Sequence, residues 1–305
     1  MSDSERVRIM ALFHERNGKF SPELTLTLLG AAIPVLWLAG WALAGDLGGR
    51  PVSAAIHFTG LWAVRFLLLS LAVTPVRRLF HWPKLVLARR NLGLAALFYA
   101  VLHLGLFVVD QGYSFTAAGR EIVLRFYLTI GAVAVALLLA LGGTSFDRII
   151  RRMGAKRWNA LHASVYAIAI LAIAHFLIQS KLDVTQAVMM GGLLIVLFVY
   201  RIVFHFTNRV GPLLFAGVTV VSAVLTGLGE VAWYGLLTGV DPWLVAAANF
   251  QPQLGVSPAA WVLIAGFSLA LAAAVRQLLF PPAKAARASK PAAVKAPSPQ
   301  STLAG

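Results

Sequence analysis

The chain has 305 residues, 59% of them hydrophobic and only 12% charged, with a mean hydropathy of +0.81. A soluble globular domain is about 25% charged, so the composition excludes an ordinary water-soluble fold and describes a bundle of membrane spans. The absence of cysteine excludes disulfides, thiolate–zinc centres, cysteine-bound iron–sulfur clusters and covalently attached c-type haem, which leaves imidazole, carboxylate and carbonyl as metal ligands.

Residues 1–22 are polar, and the apolar run that follows is longer than a signal-peptide core, so no cleaved leader is expected. Eight spans of membrane length are predicted at 23–44, 56–76, 92–110, 122–142, 159–180, 184–203, 212–235 and 258–280. Thr74-Pro75 is expected to bend or end the second span. The connection 236–257 is expected to lie partly on the membrane surface. The tail "PPAKAARASKPAAVKAPSPQSTLAG" is too rich in Pro, Ala, Ser and Lys to bury a core and is expected to be disordered. The predicted organisation is a cytoplasmic segment (1–22), a transmembrane core (23–205), an additional pair of spans (206–280) and a basic tail (281–305).

The net charge of +15 is read as topology, and no nucleic-acid partner is expected. One set of alternate connections holds four Lys and Arg in 1–22, five in 77–90, five in 143–158, two in 201–209 and five in 276–295. The opposite set holds only Arg50, Arg120, Arg125 and Lys181. The positive-inside rule then puts both termini in the cytoplasm. No connection is long enough for a soluble catalytic domain, and no glycine fingerprint for NADH follows a predicted strand.

Four of the seven histidines lie in or at the edge of spans: His57, His103, His162 and His175. Ionisable groups within a bilayer are costly and mark function more often than elsewhere. His103 precedes the outer residue Asp110 by seven positions, and His175 precedes Lys181 by six. At 1.5 Å per residue both imidazoles lie ~9–10 Å below the outer boundary, on helices running the same way. A bis-imidazole haem iron needs two axial nitrogens held this way from opposite sides. His162 lies ~8 Å inside the cytoplasmic edge, and ~140° around an ideal helix from His175. The two share a face only if a bulge or kink intervenes. With no histidine opposite it, His162 is read as ligand to a second haem with another sixth ligand, as a flavin contact, or as a residue hydrogen-bonded between helices.

Other candidates follow in chain order. His57 is an alternative axial ligand, a quinone hydrogen-bonding group or an interfacial histidine. Arg65, ~12 Å deeper in the same span, suits haem propionates or a quinone oxygen. Arg89 and Arg90 form a basic inner rim, either for anionic lipid or for a flavin phosphate. Glu230 is an interfacial acid or a proton relay.

The stretches "HFTGLWAVRFLLLSLAVTPVRRL", "ARRNLGLAALFYAVLHL" and "GAKRWNALHASVYAIAILAIAHFLIQSK" resemble, in order, the MsrQ (YedZ) family. These are haem-binding membrane subunits of bacterial periplasmic methionine-sulfoxide reductase systems, within the ferric-reductase-like transmembrane group. The resemblance spans about 25–205. It implies b-type haem at His103, His162 and His175, bound FMN, and electrons drawn from the quinone pool. It also implies delivery to a periplasmic molybdopterin subunit, MsrP, that reduces methionine sulfoxide. A cytoplasmic flavin reductase is the alternative donor. The rival readings are a membrane ferric or cupric reductase, and a haem-free transporter or scaffold.

Overall fold

The computed structural model describes residues 19–181 and 183–281. Most of the expected cytoplasmic segment 1–22 and nearly all of the expected tail 281–305 lie outside the described residues. The helices are α1 (Pro22–Ala44), α2 (Pro51–Leu79), α3 (Ala88–Asp110), α4 (Phe115–Leu124), α5 (Phe126–Gly143), α6 (Asp147–Met153), α7 (Ala155–His162), α8 (Val165–Ser180), α9 (Thr185–Thr207), α10 (Pro212–Leu237), α11 (Pro242–Ala248) and α12 (Pro258–Leu279). A 3-10 turn, Pro83–Leu87, leads into α3. Eight helical stretches among the described residues are long and apolar enough to cross a membrane. Helices satisfy their own backbone polar groups, which is what a segment in hydrocarbon requires.

Proline punctuates the bundle: Pro22, Pro51, Pro212, Pro242 and Pro258 each open a helix. There the missing N–H is one that no helix would satisfy internally. The prolines at 34 and 75 lie inside helices, and a partner side chain sits beside each. Near Pro34, Tyr99 Oη accepts from the Val35 N–H at 2.8 Å and donates to the Ala31 carbonyl at 2.8 Å. Of the two outcomes expected at Thr74-Pro75, a bend or an end, the second does not occur, because α2 continues one further turn to Leu79. Pro75 leaves the Leu71 carbonyl without its usual donor, and Arg201 Nη2 supplies one at 2.9 Å. The same guanidinium donates to the Leu197 carbonyl and to Tyr166 Oη, so one side chain joins α2, α8 and α9.

Two further differences from the predicted spans bear on the site. The expected span 122–142 is two elements, a short α4 and then α5, with Arg125 in extended backbone between them. The expected span 159–180 is broken at Ala163–Ser164, where Ser164 and Tyr166 donate to Leu161 and Ala163 three residues back. Such tight 3-10-type bonds change the helical phase without glycine or proline, and His162 and His175 lie on either side of the break.

Two apolar clusters organise the interior. The larger draws on α2, α3, α5, α8 and α9, with Phe66, Leu71, Tyr99 and Ile168 nearly or fully buried. The smaller joins α9, α10, α12 and the end of α2 through Leu79, Tyr200, Phe215 and Val262. Gln277 Nε2 also donates to the Leu79 carbonyl at 2.8 Å, tying α12 to the end of α2. We call the end carrying Asp110 and Lys181 the histidine end, and the end carrying Arg89 and Arg157 the basic end.

Candidate functional site

His103 on α3 and His175 on α8 face each other with ring centroids 6.3 Å apart and planes at 85°. Each ring is seated by the same device on a neighbouring helix. His103 Nδ1 lies 2.8 Å from the Ile56 carbonyl of α2, and His175 Nδ1 lies 2.7 Å from the Tyr127 carbonyl of α5. Four residues after each carbonyl comes a glycine against which the ring rests. A Cβ on Gly60 would lie 2.8 Å from His103 Nδ1, and one on Gly131 would lie 2.9 Å from His175 Nδ1. The rings occupy space that any other residue type would fill.

The hydrogen bonds fix the tautomers. A carbonyl only accepts, so Nδ1 carries the proton and Nε2 keeps the lone pair in both rings. Orientation of a ligating imidazole through its other nitrogen is the usual outer-shell support of a metal site. Two metal–imidazole bonds of ~2.0–2.1 Å, plus ~1.2 Å from each ligating nitrogen to its ring centre, span about 6.5 Å, close to the observed 6.3 Å. Among the described residues there is no group of three or more His, Cys, Asp or Glu that would hold a bare ion. Two imidazoles supply two ligands to a metal, and a porphyrin supplies the other four.

The rings open on a cavity of about 390 Å³, within the range of small-molecule sites. Its deep walls include Leu61, Val64, Leu67, Leu138 and Ile168. Its mouth, at the histidine end, carries Asp110, Gln111, Glu121, Arg125 and Gln179. Arg125 Nε pairs with Glu121 Oε2 at 2.7 Å, and its Nη1 donates to Tyr127 Oη at 3.3 Å. The Tyr127 hydroxyl first, and then the Glu121 carboxylate, raise the pKa of this guanidinium, which keeps a fixed positive charge at the mouth.

The structure sorts the remaining candidates by place. His57 is exposed and lines the same cavity as His103 and His175. Arg65 is outside its lining and rests over the Trp62 ring, 4.7 Å from the centroid. At the basic end Arg90 pairs with Asp147 at 3.5 Å, and Arg89 acts electrostatically on His162. His162 belongs to a different cluster. It stacks on Trp158 with centroids 3.9 Å apart, and its Nε2 meets Thr144 Oγ1 at 3.2 Å. The Thr144 hydroxyl hydrogen has the Ala140 carbonyl at 2.8 Å, so the imidazole is the donor and its proton sits on Nε2. That tautomer is opposite to those of His103 and His175. Trp158 Nε1 closes the cluster by donating to the Thr144 carbonyl at 3.0 Å.

The sequence reading missed Gly60, Gly131 and the two carbonyls that seat the rings. No signal in the sequence marks them, since which glycine lies opposite each histidine depends on how the spans pack. It also missed the α4 segment that brings Glu121 to the mouth.

The described residues thus form an all-helical bundle of membrane-length spans with two imidazoles on one largely apolar cavity. In agreement, the family model described as "Ferric reductase like transmembrane component" matches residues 59–173. A heme-binding subunit MsrQ of protein-methionine-sulfoxide reductase from Rhodospirillum rubrum is 39% identical over 172 residues, 56% of this chain and 83% of that relative. The protein of the same name from Herminiimonas arsenicoxydans is 34% identical, over 66% of this chain and 93% of its own. A third, from Polaromonas naphthalenivorans, is 41% identical over 50% of this chain and 69% of its own. The chain belongs to the MsrQ family. No solved structure matches it.

Proposed function

We infer that this chain is the haem b subunit of a periplasmic protein-methionine-sulfoxide reductase system. It is placed in the bacterial inner membrane with both termini in the cytoplasm, in accord with the Lys and Arg of the basic end. It passes electrons from the quinone pool, or from a cytoplasmic flavin reductase, to the periplasmic molybdopterin subunit MsrP. That partner reduces methionine sulfoxide in oxidised proteins. The observation that carries the reading is the His103–His175 pair, with both Nδ1 protons committed to carbonyls and both Nε2 lone pairs left for a metal.

Haem, when bound, supplies reversible one-electron exchange. His103 and His175 would hold it through Nε2 from two helices, and the apolar walls at Leu61, Val64, Leu67, Leu138 and Ile168 would keep water from it. His57 and Arg125 at the mouth suit the anionic edge of such a group. Arg89 and Arg90, with Lys156 and Arg157, supply the charge for an FMN phosphate at the basic end. Arg65, beside Trp62 rather than in the cavity, is left to a quinone oxygen or to the lipid interface. His162 is read as the less central ligand, because binding a metal through Nε2 requires release of Thr144.

Reduced-minus-oxidised absorption of the purified protein, followed by addition of a reduced quinone and then of MsrP, tests this reading. A b-type spectrum that reduces with quinol and reoxidises with MsrP and methionine sulfoxide is expected. Absence of any Soret or α-band change would end the haem assignment, and a haem indifferent to MsrP would end the partner assignment.

A further inference from the structure

The geometry points to a second ligand site, formed by the C-terminal helices, for a membrane-dissolved molecule whose head donates O–H or N–H hydrogen bonds. At the histidine end, α10, α11, the start of α12 and Thr185 of α9 enclose a cavity of about 360 Å³. Apart from Glu230 its lining is uncharged, and no lysine, arginine or histidine faces it.

Glu230 is only 8% exposed. A carboxylate buried beside hydrocarbon is costly and needs donors. It has one hydrogen-bond partner among the described residues, the Asn249 amide, with Nδ2 2.9 Å from Oε2. That nitrogen also donates to the Val245 carbonyl at 3.2 Å, so both its hydrogens are used. Asn249 Oδ1 is buried and accepts from nothing among the described residues. Buried polar atoms without partners are rare in folded proteins. Here the acid lines the cavity with one donor for its two oxygens, and it calls for another.

The surroundings say what carries that donor. Trp243, Leu244 and Phe250, on and after α11, are 82%, 66% and 87% exposed. A short helix with such residues at the end of a span lies at the membrane surface, with its apolar side toward the acyl chains. The walls of the cavity beside it are largely apolar, as at Val245 and Leu254, which suits a ligand that arrives from the bilayer. The ligand therefore has an apolar body and a compact donor head. Two sources share that chemistry: a hydroquinone, and the ammonium of an ethanolamine phospholipid.

The test uses the full-length protein in phosphatidylcholine nanodiscs and the apolar carboxyl reagent dicyclohexylcarbodiimide, with labelling of Glu230 read by peptide mass spectrometry. Parallel samples contain a short-chain hydroquinone or added phosphatidylethanolamine. The site predicts labelling of Glu230 in phosphatidylcholine alone, slowed about tenfold by a ligand at ten times its Kd. Protection in one arm identifies the source, and protection in both establishes the shared head chemistry. The protecting ligand also raises the unfolding midpoint of the wild type and leaves that of Glu230→Gln unchanged. Failure of the reagent to reach Glu230, or equal labelling in all three samples, overturns the proposal.

Discussion

Gly60 and His103 are in contact across the α2–α3 interface because the glycine has no side chain: a Cβ there would lie 2.8 Å from the ring nitrogen that meets the Ile56 carbonyl. Gly131 and His175 repeat the relationship between α5 and α8. Both rings are thus fixed by a carbonyl and a glycine one helical turn apart, and their mutual angle of 85° follows from where those two helices stand.

Gly60→Ala and Gly131→Ala are each expected to displace one imidazole. Overpacking a filled site costs about 1–3 kcal/mol, and here the ring is the part that must move. Each variant should retain less haem after purification and show an altered low-spin signal, while circular dichroism remains helical. Wild-type haem content and spectrum in both variants would show that the glycines do not seat the rings.

Arg201→Met is expected to destabilise the bundle, because it strips the side-chain donor from the Leu71 carbonyl that faces Pro75. Leaving a buried acceptor unsatisfied costs about 1–3 kcal/mol. The cause is Pro75, so Pro75→Ala should restore a backbone donor and shrink the penalty of Arg201→Met. Thermal unfolding of the two single variants and the double variant measures that coupling. Strict additivity would separate Arg201 from the proline.

Tyr99→Phe removes the hydroxyl that sits between Val35 N and Ala31 O beside Pro34. A loss of about 0.5–1.5 kcal/mol is expected, because Val35 N and Ala31 O are a helical i, i−4 pair that closes on itself once the hydroxyl is gone, with the haem spectrum unchanged because Tyr99 is outside the cavity lining. A spectral shift larger than the stability change would place Tyr99 in the electron path instead of the packing.

The spans, and the matching depth of His103 and His175, were legible because apolar length and 1.5 Å per residue are properties of sequence. What was not legible depended on other helices. Pro75 reads as a bend or a stop, and the donor that meets the carbonyl it leaves open comes from Arg201, distant in sequence. The break at Ala163–Ser164 contains neither glycine nor proline, so no local rule marks it. α4 is a ten-residue helix, too short to stand out beside an apolar run that continues into α5. Gly60 and Gly131 look like any small residues in a span until the imidazoles opposite are in place.

His162→Ala is expected to leave the His103–His175 signal intact, since His162 sits outside their cavity and donates to Thr144. Electron paramagnetic resonance of the ferric variant checks this. Loss of the signal would join His162 to the pair.

The central claim is that His103 and His175 hold one iron between nearly perpendicular rings. Electron paramagnetic resonance of the ferric wild-type protein, beside His103→Ala and His175→Ala, tests it most directly. The account predicts a strongly anisotropic low-spin signal of crossed imidazole planes in the wild type, absent from both variants even when each is folded. A wild-type signal of parallel planes, or the same signal surviving in either variant, would contradict it.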